Sequence, residues 1–147
     1  SGVPYDTRRA RPYDAYAELQ FDVPTCPEGD AYARFQVRLE EIAQAARIVR
    51  QIVDGLPEGP IFARKPLTNP KATRVKEGEI DAAVESPRGE LGFYLVADGK
   101  AFPYRLKINA PSFCNLQAIQ HIAPGLLLAD VIATLGSLDP VLGDIDR

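Results

Sequence analysis

A chain of 147 residues that is 46% hydrophobic and 25% charged has the make-up of one globular domain, which excludes a disordered or fibrous protein. Seventeen basic residues against twenty acidic ones leave a net charge of -3, so no broad basic face is expected and nucleic acid is excluded as a partner. The longest apolar run, residues 123–129, contains Pro124 and Gly125 and falls far short of the roughly 20 residues of a membrane span.

The opening stretch to about Pro27 mixes Tyr, Pro, Arg and Asp with scattered apolar residues and reads as loops and short turns. Methionine is absent and nothing after Ser1 has the pattern of a signal peptide, so the start reads as that of a processed chain or a fragment. From Asp30 the pattern changes: Tyr32, Phe35, Leu39, Ile42, Ala46, Val49, Val53 and Leu56 recur at helical spacing. Asp30 is placed to cap this amphipathic helix, and Gly55 with Pro57 to end it. Val37, Ile48 and Ile52 widen its apolar face, which predicts a helix inside a bundle-like core.

Residues 56–79, with Pro57, Gly59, Pro60, Pro66, Pro70 and Gly78, read as a linker. Ile80, Ala82 and Val84 alternate as in a short strand. Leu91 to Ala97 and Lys100 to Ile108 flank Asp98-Gly99, which predicts a hairpin closed by a type I′ turn. Pro103 cannot donate to a ladder, so the return strand belongs at an edge or turns that position away from its partner. Pro111 and Ser112 open a helix through about Ala123, a second runs from about Leu126 to Leu135, and the tail begins as a turn or short helix. The expected class is α+β: a long amphipathic helix and C-terminal helices with a small antiparallel sheet. One domain spans 1–147, made of a loop-rich arm (1–29), the long helix (30–55), the linker (56–79), strands and hairpin (80–109), and helices with a tail (110–147).

Cys26 and Cys114 form no C-x-x-C pair, and His121 is the only histidine, so this chain alone builds no multi-histidine metal centre. Cys114 has no helper residue in sequence and reads as a buried, inert thiol rather than a nucleophile. His121 reads as a core or interface histidine held by one hydrogen bond rather than as a proton relay. Gly89 and Gly92 make no phosphate-binding fingerprint, because no helix follows them; direct NADH binding is not expected.

Three segments occur in order: Glu85-Ser86-Pro87-Arg88-Gly89-Glu90-Leu91-Gly92, Ala110-Pro111-Ser112-Phe113-Cys114-Asn115-Leu116-Gln117, and Ser137-Leu138-Asp139-Pro140-Val141-Leu142-Gly143-Asp144-Ile145-Asp146-Arg147. Together they resemble the family shared by the large subunits of NADH-quinone oxidoreductase (the D subunit of complex I) and of nickel-iron hydrogenases. Gly2-Val3-Pro4-Tyr5-Asp6 and Gly29-Asp30-Ala31-Tyr32 resemble the complex I members, of which this chain would be the C-terminal part. The hydrogenases end in Asp-Pro-Cys-x-x-Cys-x-x-His or Arg, and their two thiolates hold nickel and iron. Asp139, Pro140 and Arg147 match that tail, but Val141 and Asp144 stand where the cysteines would be. A valine ligates no metal, so hydrogen activation is excluded.

The resemblance implies a component of a proton-translocating NADH-quinone oxidoreductase that contributes to the quinone-reduction cavity and to a subunit interface. It implies no cofactor on this chain. Quinone and NADH would be used by the complex, and iron-sulfur clusters would sit in partner subunits of the peripheral arm. Its place would be peripheral, on the cytoplasmic side of the inner membrane or the matrix or stroma equivalent, with membrane contact only through the complex. The family's quinone-holding histidine and tyrosine lie outside this chain, and the stretch after Pro60 looks shorter than in relatives. Candidate cavity residues are Arg88, Glu85, Asp139, Asp144 and Arg147. Arg88, fixed between Pro87 and Gly89, either faces the cavity or belongs to a turn in which it pairs with Glu85 or Glu90. Asp139, Asp144 and Asp146 read as ion-pair partners of nearby arginines, with proton coupling as the other reading. Two further functions stay open: a non-catalytic assembly or interaction module, and a degenerate hydrogenase-type subunit of a membrane-bound complex.

Overall fold

The computed structural model describes residues 2–60 and 75–146, and within them the chain is α+β, as the pattern of elements predicts. The elements run α1 (Thr7–Ala10), α2 (Ala31–Asp54), β1 (Gly78–Ser86), β2 (Gly89–Ala97), β3 (Arg105–Asn109), α3 (Pro111–Leu116), α4 (Ile119–Ile122), α5 (Leu128–Leu138) and α6 (Leu142–Asp146). The long helix has the bounds its caps dictate. The Asp30 carboxylate accepts from Ala33 N–H at 2.7 Å, satisfying one of the donors that a helix start leaves open, and Gly55 closes the other end.

Its orientation is the reverse of the expectation. Tyr32, Phe35, Leu39, Ile42, Val49 and Val53 are all exposed, whereas Ala33 and Ile48 are the buried positions. At 3.6 residues per turn, the inward stripe is Ala33, Val37, Gln44, Ile48 and Gln51, with Glu41 on the same side but exposed. The apolar stripe lies on the opposite side, so α2 does not sit in a bundle core formed by the described residues. The core it does meet is small: Ile48 packs with Leu19 and Phe21 of the N-terminal arm, and Tyr16 lies against them. Gln51 pins that arm, donating to Gln20 C=O at 2.7 Å and accepting from Gln20 N–H at 2.8 Å. The guanidinium groups of Arg8 and Arg9 lie 4.8 and 4.1 Å from the Phe21 ring centroid, near enough for cation–π attraction.

The sheet is antiparallel with order β1-β2-β3. Its tight turn is Pro87-Arg88, between the paired Ser86 and Gly89. Neither turn residue has a positive φ, and the twist is taken up by Gly89 at φ +125°, a conformation open mainly to glycine. The expected type I′ turn at Asp98-Gly99 is not formed. Only Gly99 adopts a positive φ, +77°, and β3 rejoins the ladder at Arg105, paired with Val96. Pro103 explains the delay, since it cannot donate and so falls before an edge strand that starts two residues later. The helix expected from Pro111 to Ala123 is split into α3 and α4 around Gln117-Ala118. Residues 61–74 of the expected linker lie outside the described residues, and Gly78 and Glu79 belong to β1. Among the described residues no helix is long and apolar enough to cross a membrane.

Candidate functional site

The three family-like segments meet at one point. Arg88, at the apex of the β1–β2 turn, places a guanidinium nitrogen 3.0 Å from Asp139 Oδ2, and its Nε–H donates to Asp139 C=O at 3.4 Å. Its own carbonyl accepts from Asn115 Nδ2 at 2.9 Å, which ties the turn to α3. Ser112 ties α3 to the tail: its N–H donates to Asp144 Oδ2 at 2.9 Å, and its hydroxyl accepts from Val141 N–H at 3.2 Å. Ser112 is 1% exposed, so these bonds are screened from water. The pairing of Arg88 with Glu85 or Glu90 does not occur, because both carboxylates are engaged elsewhere.

Glu85 and Glu90 face each other across the β1–β2 ladder, a like-charge placement that is unfavourable alone. The N-terminal arm resolves it. Fully buried Thr7 gives its N–H to Glu85 Oε2 at 3.0 Å and its hydroxyl to Glu90 Oε2 at 3.2 Å. Tyr5 donates its hydroxyl to Glu90 Oε2 at 2.5 Å, and Arg11 pairs with Glu90 at 2.6 Å. The Arg11 guanidinium, followed by the Tyr5 hydroxyl, holds the Glu90 carboxyl below the usual carboxylate range. This arm-to-hairpin clamp has no counterpart in the sequence pattern. Its one signal is the pair of glutamates at the two ends of Glu85-Ser86-Pro87-Arg88-Gly89-Glu90.

A cavity of about 460 Å³ opens at the junction, with Arg34, Arg38 and Glu41 of α2 on one wall and Glu85, Arg88 and Asp139 on the other. A second, of about 490 Å³, adjoins it and shares Tyr5, Val37, Glu41, Glu85 and Pro87. Arg34 Nε–H donates to Ser137 Oγ at 2.9 Å and Arg38 donates to Ser137 C=O, which fixes α2 against the end of α5. Glu41 opens to solvent at the cavity mouth. Desolvation by its surroundings raises its carboxyl above the usual range, with the Arg38 charge opposing and the Glu85 charge reinforcing the rise. The walls therefore offer fixed guanidinium donors and a carboxyl that holds its proton to higher pH than usual. Sequence reasoning missed Arg34, Arg38 and Glu41. Their signal was present, since they lie off the apolar stripe of α2.

Of the expected residues, Arg88, Glu85 and Asp139 line the cavity. Asp144 lies outside its wall and holds α3, and Arg147 lies outside the described residues. Asp139 caps α5 in the left-handed region, φ 50°, ψ 52°. Val141 offers no donor atom, and among the described residues no three His, Cys, Asp or Glu side chains converge as a metal site. One expectation about burial fails. Cys114 is exposed, with Sγ 3.4 Å from Asn109 Oδ1, and it lies in the lining of the cavity. His121 lies exposed on the short α4, its ring Nε2 3.3 Å from Gln120 Nε2, so it is no core histidine among the described residues.

Fold and site together define an α+β domain built round a charged cleft, with the apolar side of its longest helix open. The model of the family described as respiratory-chain NADH dehydrogenase, 49 Kd subunit, matches residues 1–147, and the chain belongs to that family. It is 47% identical over 147 residues to the NADH-quinone oxidoreductase D subunit numbered 2 of Solibacter usitatus, covering all of this chain and 39% of that protein. It is 46% identical over 153 residues to the D subunit numbered 1 of a Roseiflexus species, covering 40% of it. Against the corresponding D subunit of the Wolbachia of Brugia malayi, identity is 42% over 168 residues and 43% of that protein is covered. The chain thus spans about two-fifths of the length of the curated relatives it matches.

Proposed function

We propose that this chain serves a proton-translocating NADH-quinone oxidoreductase as the C-terminal part of its hydrogenase-like large subunit, and that the Arg88–Asp139 cleft forms part of the quinone-reduction cavity. The observation that carries the reading is the convergence of the turn at Arg88, the start of α3 and the tail at Asp139 on one cavity. Reduction of a quinone to the quinol takes two electrons and two protons. The electrons would come from iron-sulfur clusters in partner subunits of the peripheral arm, where NADH is oxidised, while this chain positions and tunes. Arg88, Arg34 and Arg38 supply donors suited to a quinone oxygen, and Glu41 is suited to hold a proton near it. The departure at Val141 and Asp144 supports descent from a metal-binding tail that now has a packing role. The complex would hold the chain peripherally, on the cytoplasmic side of the inner membrane or its matrix or stroma equivalent.

The test is photolabelling of the intact membrane complex with a photoreactive quinone analogue, followed by peptide mapping. Label is expected on peptides containing Arg88 and Asp139, and competed by excess quinone. Labelling confined to other subunits, or to peptides of this chain away from the cleft, would remove the reading.

A further inference from the structure

The cleft and its neighbour of about 490 Å³ share two carboxylates, Glu41 of α2 and Glu85 of β1. Of the carboxylates in the two linings, all but one are held. Asp6 pairs with Arg8 at 2.6 Å, Asp22 with Arg47 at 3.2 Å and Asp139 with Arg88 at 3.0 Å. Glu85 accepts from the N–H of buried Thr7 at 3.0 Å. Glu41 alone has no hydrogen-bond or ion-pair partner among the described residues, and it stands in both linings.

The charges that face Glu41 are Arg38 on α2 itself, Arg8 of α1, Asp6 just before it, and Glu85 on β1. Arg34 and the Arg88–Asp139 pair complete the cleft side. Asp6 and Arg8 largely cancel each other, as do Asp139 and Arg88. Desolvation is what chiefly raises the Glu41 carboxyl, with Arg38 opposing and Glu85 adding to the rise. A carboxyl that keeps its proton and is tied to nothing can turn between two cavities by a change of rotamer. The cavities differ once the cleft is filled. A ring bound there displaces the water of the cleft, whereas the neighbour, lined by Asp6, Arg8, Asp22 and Gln44, is polar and roomy enough to keep water against Glu41.

We propose that the second cavity is the proton inlet of the cleft, and that Glu41 carries protons from its water to the reduced quinone, an inference that rests on the quinone reading of the cleft. The step balances. The O–H bond of Glu41 breaks as an O–H bond forms on a quinone oxygen, and the carboxylate left behind takes a proton from water of the second cavity. Two such transfers make the quinol, with two electrons from the iron-sulfur clusters of partner subunits. Glu85, held by Thr7, is a positioning residue whose fixed charge favours the protonated form of Glu41.

The experiment places variants in the intact membrane complex and follows NADH-driven reduction of a short-chain quinone across the neutral and alkaline range. Oxidation of NADH by a soluble electron acceptor that bypasses quinone checks that each variant assembles. Glu41→Gln should lower kcat about a hundredfold, with KM changed less than about twofold, and should abolish the alkaline fall in rate that the parent shows as Glu41 loses its proton. Glu41→Asp keeps a carboxyl and should restore part of the rate. Ala45 lines the second cavity and not the cleft, one turn along α2 from Glu41, so Ala45→Leu should lower kcat while photolabelling of the cleft stays as in the parent. Glu40→Gln, exposed and in neither lining, should match the parent. Parental turnover in Glu41→Gln or in Ala45→Leu would overturn the proposal. Equal losses in the Gln and Asp variants, the mark of a packing role, would do the same, as would a rise in KM with kcat unchanged. Photolabelling separates this inference from the reading it rests on: a parent cleft that takes no label removes both, whereas a labelled cleft with turnover indifferent to Glu41 and Ala45 removes the inlet alone.

Discussion

Replacing Asp144 by alanine should lower stability by about 1.5–3 kcal/mol, the worth of a hydrogen bond to a charged acceptor. The substitution removes the bond from Ser112 N–H to Asp144 Oδ2 at 2.9 Å, and its donor belongs to a residue 1% exposed, so water cannot readily take the place of the carboxylate. The tail keeps a second anchor, Val141 N–H to the Ser112 hydroxyl at 3.2 Å, which holds the loss within that range rather than releasing α6 altogether. Asp144→Asn keeps an acceptor oxygen and gives up the charge, so it should cost about half as much as the alanine. Thermal unfolding followed by circular dichroism resolves the difference, since 1 kcal/mol moves the midpoint of a chain this size by about 2–4 °C. Equal losses for Asn and Ala, or losses below about 0.5 kcal/mol for both, would show that Asp144 does not hold α3 through its charge.

Glu90→Gln should flatten the acid side of the stability profile. The folded state lowers the Glu90 carboxyl chiefly through Arg11, so the group adds stability above the ordinary carboxylate range and loses it as pH falls through the lowered value; an unchanged acid limb in pH-dependent melts would refute this. Glu41→Gln should act in the opposite sense. Desolvation raises the Glu41 carboxyl, so its ionisation costs stability as pH rises through the carboxylate range, and the glutamine variant should be the more stable at neutral pH and equal to the parent in acid. Gly89→Ala should cost about 1–3 kcal/mol through its backbone alone, because φ is +125° while the added Cβ would meet only Pro111 Cβ at 3.5 Å; urea unfolding with a loss under about 0.5 kcal/mol would contradict it. Arg88→Ala should change stability by no more than about 1 kcal/mol, its ion pair being partly solvated, yet it should sharply reduce quinone labelling of the intact complex.

Local chemistry was legible where one residue decides it. Asp30 and Gly55 set the ends of α2 because a cap is a contact between near neighbours. The late start of β3 follows from Pro103, whereas its edge position is set by the strand order β1-β2-β3. The position of the tight turn was not legible from Asp98-Gly99, since that turn needs two positive φ values and the ladder cannot close while Pro103 stands in the return path. What pairs with Arg88 was hidden too. Glu85 and Glu90 are nearest in sequence, but Thr7, Tyr5 and Arg11 claim them from some 80 residues away, leaving Asp139. The side of α2 that faces inward was misjudged because periodicity reports which face is apolar, not which polypeptide covers it. The cavity residues Arg34, Arg38 and Glu41 were missed by the same error.

Asp139 shows where stability gives way to the site. Helices commonly close on a left-handed residue, usually glycine, because any side chain there is strained. Here the left-handed position at the end of α5 is an aspartate, φ 50°, followed by Pro140, which cannot extend the helix. Glycine would relax the backbone, but it would leave the Arg88 guanidinium without its 3.0 Å partner at the wall of the cavity. A partly solvated ion pair contributes at most about 1 kcal/mol, no more than the strain it accompanies, so stability alone does not explain the choice. Orientation does: the pair draws the β1–β2 turn and the tail together and fixes Arg88 in the lining of the cleft. The strain is therefore placed where the proposed quinone contact needs a fixed guanidinium, and Asp139→Gly should leave the fold standing while loosening Arg88, which would keep only its 3.4 Å bond to the backbone carbonyl of position 139.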